Sequence, residues 1–153
     1  MDGVTTAVYV CETREQRAES EAHLIAVYRG LSENILNHCG PIGLGKAIRI
    51  FLRDAQGAVV GGIDGLVFGD WVYVKLLWVD AALRGQGHGT RLLTRMEEEA
   101  LRLGCRNAHL DTYSFEARPF YEKNGYEVFA TLDDFPPGHQ KHFLRKRLGR
   151  EIR

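Results

Sequence analysis

A mixed α/β sheet, of the α+β kind with mostly antiparallel strands flanked by helices, is the fold class this sequence predicts. Three observations carry it. Apolar residues recur at spacings of three and four near the start of the chain and change to strand-like runs from Lys46 onward. Short turns, Asp54-Ala55-Gln56-Gly57 and Gly69-Asp70, join three of those runs, as hairpin connections do. After them a glycine-rich junction opens an amphipathic helix, and the remaining runs alternate strand and helix.

Taken in order, Thr5 to Cys11 carries Val8, Tyr9 and Val10 and reads as a short first strand. Thr13 is placed to cap a helix from Glu15 to Leu31, on which Ala18, Ala22, Ile25, Ala26 and Tyr28 form an apolar face and Gly30 is a stop. The stretch Ser32 to Gly45, rich in Gly, Asn and His with Pro41 inside it, reads as a loop or short helix and as a candidate substrate rim. Ala47–Leu52, Ala58–Phe68 and Trp71–Val79 are expected to form an antiparallel meander. Gly61, Gly62 and Gly65 mark its middle strand for a bulge or a close approach. Leu92, Leu93, Met96, Ala100 and Leu101 line one face of the helix Thr90–Leu103, which Gly104 ends. A strand at Arg106–Asp111, a short helix at Glu116–Lys123, a strand at Tyr126–Leu132, the loop Asp133–Gln140 and a last strand at Lys141–Leu148 complete the order.

The 153 residues, 44% of them hydrophobic, suffice for one packed core, and one domain over 1–153 is expected. Lys+Arg and Asp+Glu number 20 each, so no long-range field draws the protein to nucleic acid or to an anionic membrane. Cys11, Cys39 and Cys105 lie far apart with no zinc or redox spacing, and read as reduced thiols without a metal. Residues 1–10 lack the pattern of a secretory signal and no apolar run reaches the ~18 residues of a membrane span, so a soluble cytoplasmic protein is expected.

The junction Arg84-Gly85-Gln86-Gly87-His88-Gly89 is the most informative stretch. Alternate glycines let the backbone approach a ligand and present successive N–H groups, the helix start adds partial positive charge, and Arg84 adds a full one. That combination suits a pyrophosphate. No Gly-Lys-Ser or Gly-Lys-Thr occurs, which argues against a P-loop, and the third glycine falls one residue too early, after a meander, for a dinucleotide fingerprint.

Three segments together resemble the Gcn5-related N-acetyltransferase (GNAT) superfamily. Arg84–Gly89, directly after Leu77-Trp78-Val79, is similar to its acyl-coenzyme A loop. Ala117-Arg118-Pro119-Phe120-Tyr121-Glu122-Lys123-Asn124-Gly125-Tyr126 is similar to its Tyr-containing helix segment, and Gly138 to Leu148 to its closing strand. The resemblance implies a GNAT-like fold with a splayed central strand, acetyl-coenzyme A as co-substrate, no metal, and a homodimer. It implies that the backbone of Leu77, Trp78 and Val79 binds the pantetheine arm, and that Gly85, Gln86, Gly87, His88 and Gly89 cradle the pyrophosphate, with Arg84 as charge partner and Thr90 as hydroxyl donor. His88 also reads as an ordinary solvent-facing loop histidine. Ser114 stands where the family often has an asparagine on the pantetheine.

Acetyl transfer needs a free amine lone pair, a polarised thioester carbonyl and a proton for the departing thiolate. By resemblance Tyr121 protonates the sulfur, although a tyrosine here also serves as helix packing, and the Val79 N–H polarises the carbonyl. The glutamate that many members carry before the glycine loop is missing, since Tyr73, Lys75 and Leu77 fill the alternate positions. Asp64, Asp80, Asp111 or water is left as base. Tyr9, Trp71, Tyr73, Trp78 and Tyr113 read as core packing or an aromatic pocket, and Glu33, Asp64, Asp133 and Asp134 as surface charge or a draw for a cationic amine. The expected reaction is direct transfer to a primary amine of an unidentified small molecule or peptide. A non-catalytic acyl-coenzyme A module and a nucleotide-dependent transferase are the alternatives.

Overall fold

The computed structural model describes residues 4–43 and 45–149, and the chain divides into two compact units, Met1–Leu44 and Gly45–Arg153. In the first, helix α1 spans Arg14–Cys39. Thr13 caps it in a capping box: its hydroxyl accepts from the Gln16 N–H, and the Gln16 side chain accepts from the Thr13 N–H. The helix runs beyond the expected end at Leu31. One interior glycine costs only about 1 kcal/mol, which the turns on either side of Gly30 absorb. The stop comes at Gly40, with φ 65°, just before Pro41, and a short 3-10 turn follows at Gly40–Gly43. Most of the segment expected as an irregular rim is therefore helix. Residues 4–12 form no strand, which corrects the expected strand at Thr5–Cys11: an isolated extended segment has no ladder to satisfy its backbone.

In the second unit a six-stranded sheet has the order β1-β2-β3-β4-β6-β5, with β1 Lys46–Arg53, β2 Val59–Phe68, β3 Trp71–Val79, β4 Asn107–Tyr113, β5 Glu127–Asp133 and β6 Gln140–Arg147. Helix α2, His88–Arg102, connects β3 to β4, and α3, Arg118–Lys123, connects β4 to β5. All neighbours are antiparallel except β3 and β4. The meander, the α2 connection and the later elements lie where the sequence places them, within two residues at each end.

Alternation buries one sheet face. Ile63, Val67, Val72, Val74, Ala108, Leu110 and Leu144 pack against Leu92, Leu93, Met96 and Ala100 of α2. Gly65 lets α2 settle on the sheet: a Cβ there would stand 2.8 Å from Met96 Sδ and 3.3 Å from the Tyr73 carbonyl oxygen. The predicted irregularity in β2 lies beside it. The register shifts between Asp64, opposite Leu76, and Gly65, opposite Val74, which leaves Lys75 as the extra residue of a bulge in β3.

That bulge sits where the sheet divides. β3 pairs β4 only from Trp71–Asn107 to Val74–Leu110. Beyond this point β3 stays with β2 as far as Val79–Gly61, whereas β4 stays with β6 as far as Tyr113–Lys141. The two strands part, and a cleft opens between them.

Candidate active site

The cleft has a volume of about 580 Å³; Lys75 to Val79 form one wall, and Asp111, Thr112, Phe115, Glu116, Ala117 and Tyr121 the other. Its β3 wall presents backbone groups. The Asp80 N–H bonds the Val60 carbonyl, so by strand alternation the N–H and C=O of Val79 and of Leu77 face away from β2, into the cleft. The Val79 carbonyl is taken by Arg84 Nε at 3.0 Å.

Alternation also gives the cleft two ends. Leu77, Val79 and Ala117 pack toward the core on the helix face, beside the buried Thr112 and Tyr121. Leu76, Trp78 and Asp111, one position out of phase with them, point to the opposite face. The opening thus runs through the sheet.

On the helix side it meets a second cavity of about 310 Å³, with Val79 and Arg84 lining both. This cavity is walled by Gly85, Gly87, His88, Gly89, Thr90, Phe120 and Lys123. Gly85 and Gly87 have φ of 75° and 81°, with nothing within 4 Å of where a Cβ would stand, so the loop backbone is bare toward solvent. Gly87 is the N-cap of α2 and has no side chain to occupy the first N–H groups of the helix. His88 Nδ1 is buried without a hydrogen-bond partner among the described residues. An orphaned buried ring nitrogen, open N–H groups and the cations Arg84 and Lys123 make a donor set that fits a pyrophosphate. Gln86 instead donates its side-chain amide to the Ala82 carbonyl, and its side chain lines neither cavity.

Tyr121 is 7% exposed and lines the cleft. No hydrogen bond within the described residues engages its hydroxyl. Burial first, then the negative charges of Glu116 and Asp111, push its pKa up to about 12, so it stays a neutral phenol at physiological pH.

Of the three aspartates offered as base, Asp64 is held by Arg49 at 3.1 Å and Lys75 at 3.5 Å, and Asp80 caps the 3-10 turn Ala81–Leu83 by accepting from the Ala82 N–H. Asp111 alone lines the cleft. Its carboxylate accepts from the Tyr73 hydroxyl at 2.7 Å and from the Lys141 ammonium at 2.8 Å. Burial and this carboxylate push the Tyr73 phenol up to about 12. Ser114 lines neither cavity: its hydroxyl accepts from the Gln140 N–H and its own N–H bonds the Gln140 carbonyl, which clamps the end of β4 to the start of β6. Lys123, Phe115 and Glu116 are the site residues that sequence reasoning missed. They flank or lie within the Tyr121 segment, but only the fold shows that they face the cavities.

This arrangement has known counterparts. Residues 46–128 match the family described as the acetyltransferase (GNAT) domain. The chain is 43% identical over 94 residues to blasticidin-S acetyltransferase of Streptomyces morookaense, covering 61% of this chain and 69% of that protein. It is 37% identical over 102 residues to acetyltransferase Atu2258 of Agrobacterium fabrum, covering 67% and 74%. The crystal structure of an acetyltransferase from Bacillus cereus superposes with a TM-score of 0.70 at 29% identity over 93% of this chain and 98% of that one. The match over more than half of the chain and these relatives make the protein an acetyltransferase, and this chain belongs to the GNAT family.

Proposed function

We propose that the cleft binds acetyl-coenzyme A and that the enzyme passes its acetyl group directly to a primary amine of a small molecule. The observation that carries this is the Tyr121 hydroxyl, neutral and without a hydrogen-bond partner among the described residues, in a cleft that shares Val79 and Arg84 with the glycine-loop cavity. Family membership supports acetyl-coenzyme A as donor, and the relative named blasticidin-S acetyltransferase supports a small-molecule acceptor.

In this reading the pyrophosphate rests on the N–H groups of Gly85 to Gly89, with Arg84, His88, Thr90 and Lys123 around it. The pantetheine lies along Leu77 to Val79. The Val79 N–H donates to the thioester oxygen as negative charge develops there. The amine nitrogen attacks the carbonyl carbon, the C–S bond breaks, and the Tyr121 phenol gives its proton to the departing thiolate. Asp111, facing the cleft from the opposite side of the sheet, accepts an N–H of the incoming amine. There it orients the amine, and the proton the amine sheds passes through water to restore the Tyr121 phenol.

Calorimetry with coenzyme A and with ATP, paired with free-thiol release across an amine panel, tests the reading. Binding of coenzyme A and amine-dependent thiol release are expected. Binding of ATP without coenzyme A would overturn the donor, and binding without any thiol release would make the chain an acyl-coenzyme A module. The family resemblance further leads us to propose a homodimer, which light scattering would show as twice the 17.3 kDa chain mass.

A further inference from the structure

On the sheet face opposite α2 the cleft opens between two exposed rings, Trp78 and Phe115, which are 50% and 56% exposed. Phe115 belongs to a wall. It stacks on Tyr113 at 5.2 Å with the rings 2° from parallel, and it meets His139 edge-on at 4.8 Å; Tyr113 in turn meets Phe135 edge-on at 6.0 Å. The loops that carry these rings are tied together by the two Ser114–Gln140 hydrogen bonds and by Phe135 N–H to the His139 carbonyl. The wall is therefore set in place before anything binds, which lowers the ordering cost of recognition.

Charge around this mouth is already matched. Asp111 lies between the Tyr73 hydroxyl and Lys141, and Lys141 sits 5.3–5.6 Å over the rings of Tyr113, Phe135 and Phe143. Lys75 pairs with Asp64, Asp133 accepts from the Gln140 side chain, and Asp134 from the Gly138 N–H. One oxygen of Glu116 turns back onto the Thr112 hydroxyl and the Tyr113 N–H. Asp111 and the second oxygen of Glu116 thus remain to meet the amine itself, Asp64, Asp133 and Asp134 are committed elsewhere, and the surface left open to the rest of a ligand is flat, apolar ring.

We propose that the acceptor is an amine carrying an aromatic or heteroaromatic ring, and that Phe115 is the specificity-determining residue against which this ring stacks. The inference rests on the acetyl-transfer reading of the same cleft. A ring buried against a preorganised aromatic wall gains on the order of tenfold or more in affinity over an alkyl group.

The test is thiol release with ω-phenylalkylamines of graded chain length, n-butylamine and spermidine, on the wild type and on Phe115→Ala and Phe115→Tyr, with acetyl-coenzyme A affinity measured for each protein by calorimetry. At least one phenylalkylamine is expected to exceed both n-butylamine and spermidine by about tenfold in kcat/KM. Phe115→Ala should bring that ratio close to one, chiefly through KM, while Phe115→Tyr keeps it. Equal rates for aryl and alkyl amines in the wild type, a preference for spermidine, or an unchanged ratio in a Phe115→Ala protein that still binds acetyl-coenzyme A would each overturn the proposal. If Phe115→Ala loses acetyl-coenzyme A binding, the wild-type ranking and the Phe115→Tyr ratio decide. Bound acetyl-coenzyme A with no thiol release from any amine would instead defeat the transfer reading, and the ring assignment with it.

Discussion

Tyr121 and Tyr73 are two phenols at the same cleft put to different uses by their partners. Both are pushed up to about 12, chiefly by burial, but Tyr73 spends its hydroxyl on Asp111 whereas the Tyr121 hydroxyl has no protein acceptor among the described residues. Only Tyr121 has a proton to offer a leaving group. Tyr121→Phe should lower kcat by about 10²-fold, the low end of what a positioned proton donor supplies, with acetyl-coenzyme A affinity nearly unchanged. An equal kcat in the variant would remove Tyr121 from the reaction. Because its pKa lies near 12, the same phenol should impose no loss of activity as pH rises from 7 to 10. The segment Ala117–Tyr126 singles out this residue in the sequence, and the fold puts it in the cleft wall. Glu116 and Lys123 were not legible as site residues, because a charged residue in a turn or on a last helical turn looks the same whether it faces solvent or a cavity.

Among the elements, the start of α2 and the end of β3 make the site between them. Gly87 holds φ of 81° as the N-cap of α2 with open space around it, so a side chain there is strained by backbone conformation and would project over the N–H groups. Gly87→Val should weaken acetyl-coenzyme A binding by at least about tenfold, because β-branched residues rarely adopt positive φ and the added methyls cover the anion surface. Calorimetry on a variant with the wild-type circular dichroism spectrum checks this, and unchanged affinity would move the phosphate elsewhere. The β3 bulge at Lys75 explains why the adjoining strand leaves β4: one extra residue re-aims the chain at the last paired position, Val74–Leu110. The glycines of β2 announced an irregularity. That the extra residue would sit on β3 depends on how the two strands register, which no single strand encodes.

At the scale of the whole molecule, α2, the start of β5 and β6 are joined through a phenol whose contribution is lost at high pH. Tyr126 donates to Glu97, which also pairs with Lys146 at 2.6 Å, and burial and the Glu97 charge raise the Tyr126 pKa further than those of Tyr73 and Tyr121. A phenol with a folded pKa above its ordinary 10.0 is protonated in the folded chain and ionised in the unfolded one across the interval between them. Its stabilisation is full below pH 10 and is lost as pH rises toward the folded value. The thermal midpoint should accordingly drop between pH 10 and 12, and less steeply in Tyr73→Phe; a flat midpoint over that range would contradict the assigned burial. At this scale the antiparallel meander, the helix after the glycine loop and the closing strands were set by local pattern alone, because periodicity and turn residues act within a few positions. The expected strand at Thr5–Cys11 failed because a strand exists only with a partner, and α1 outran Gly30 because the signal at Gly40-Pro41 is the stronger stop. The sequence by itself determined the proposed donor side: glycine spacing, helix start and the tyrosine segment are contiguous motifs whose chemistry travels with them. The proposed acceptor side was decided only by tertiary structure, since Trp78, Asp111, Phe115, His139 and Lys141 come from separate strands and loops and meet only once the sheet divides between β3 and β4.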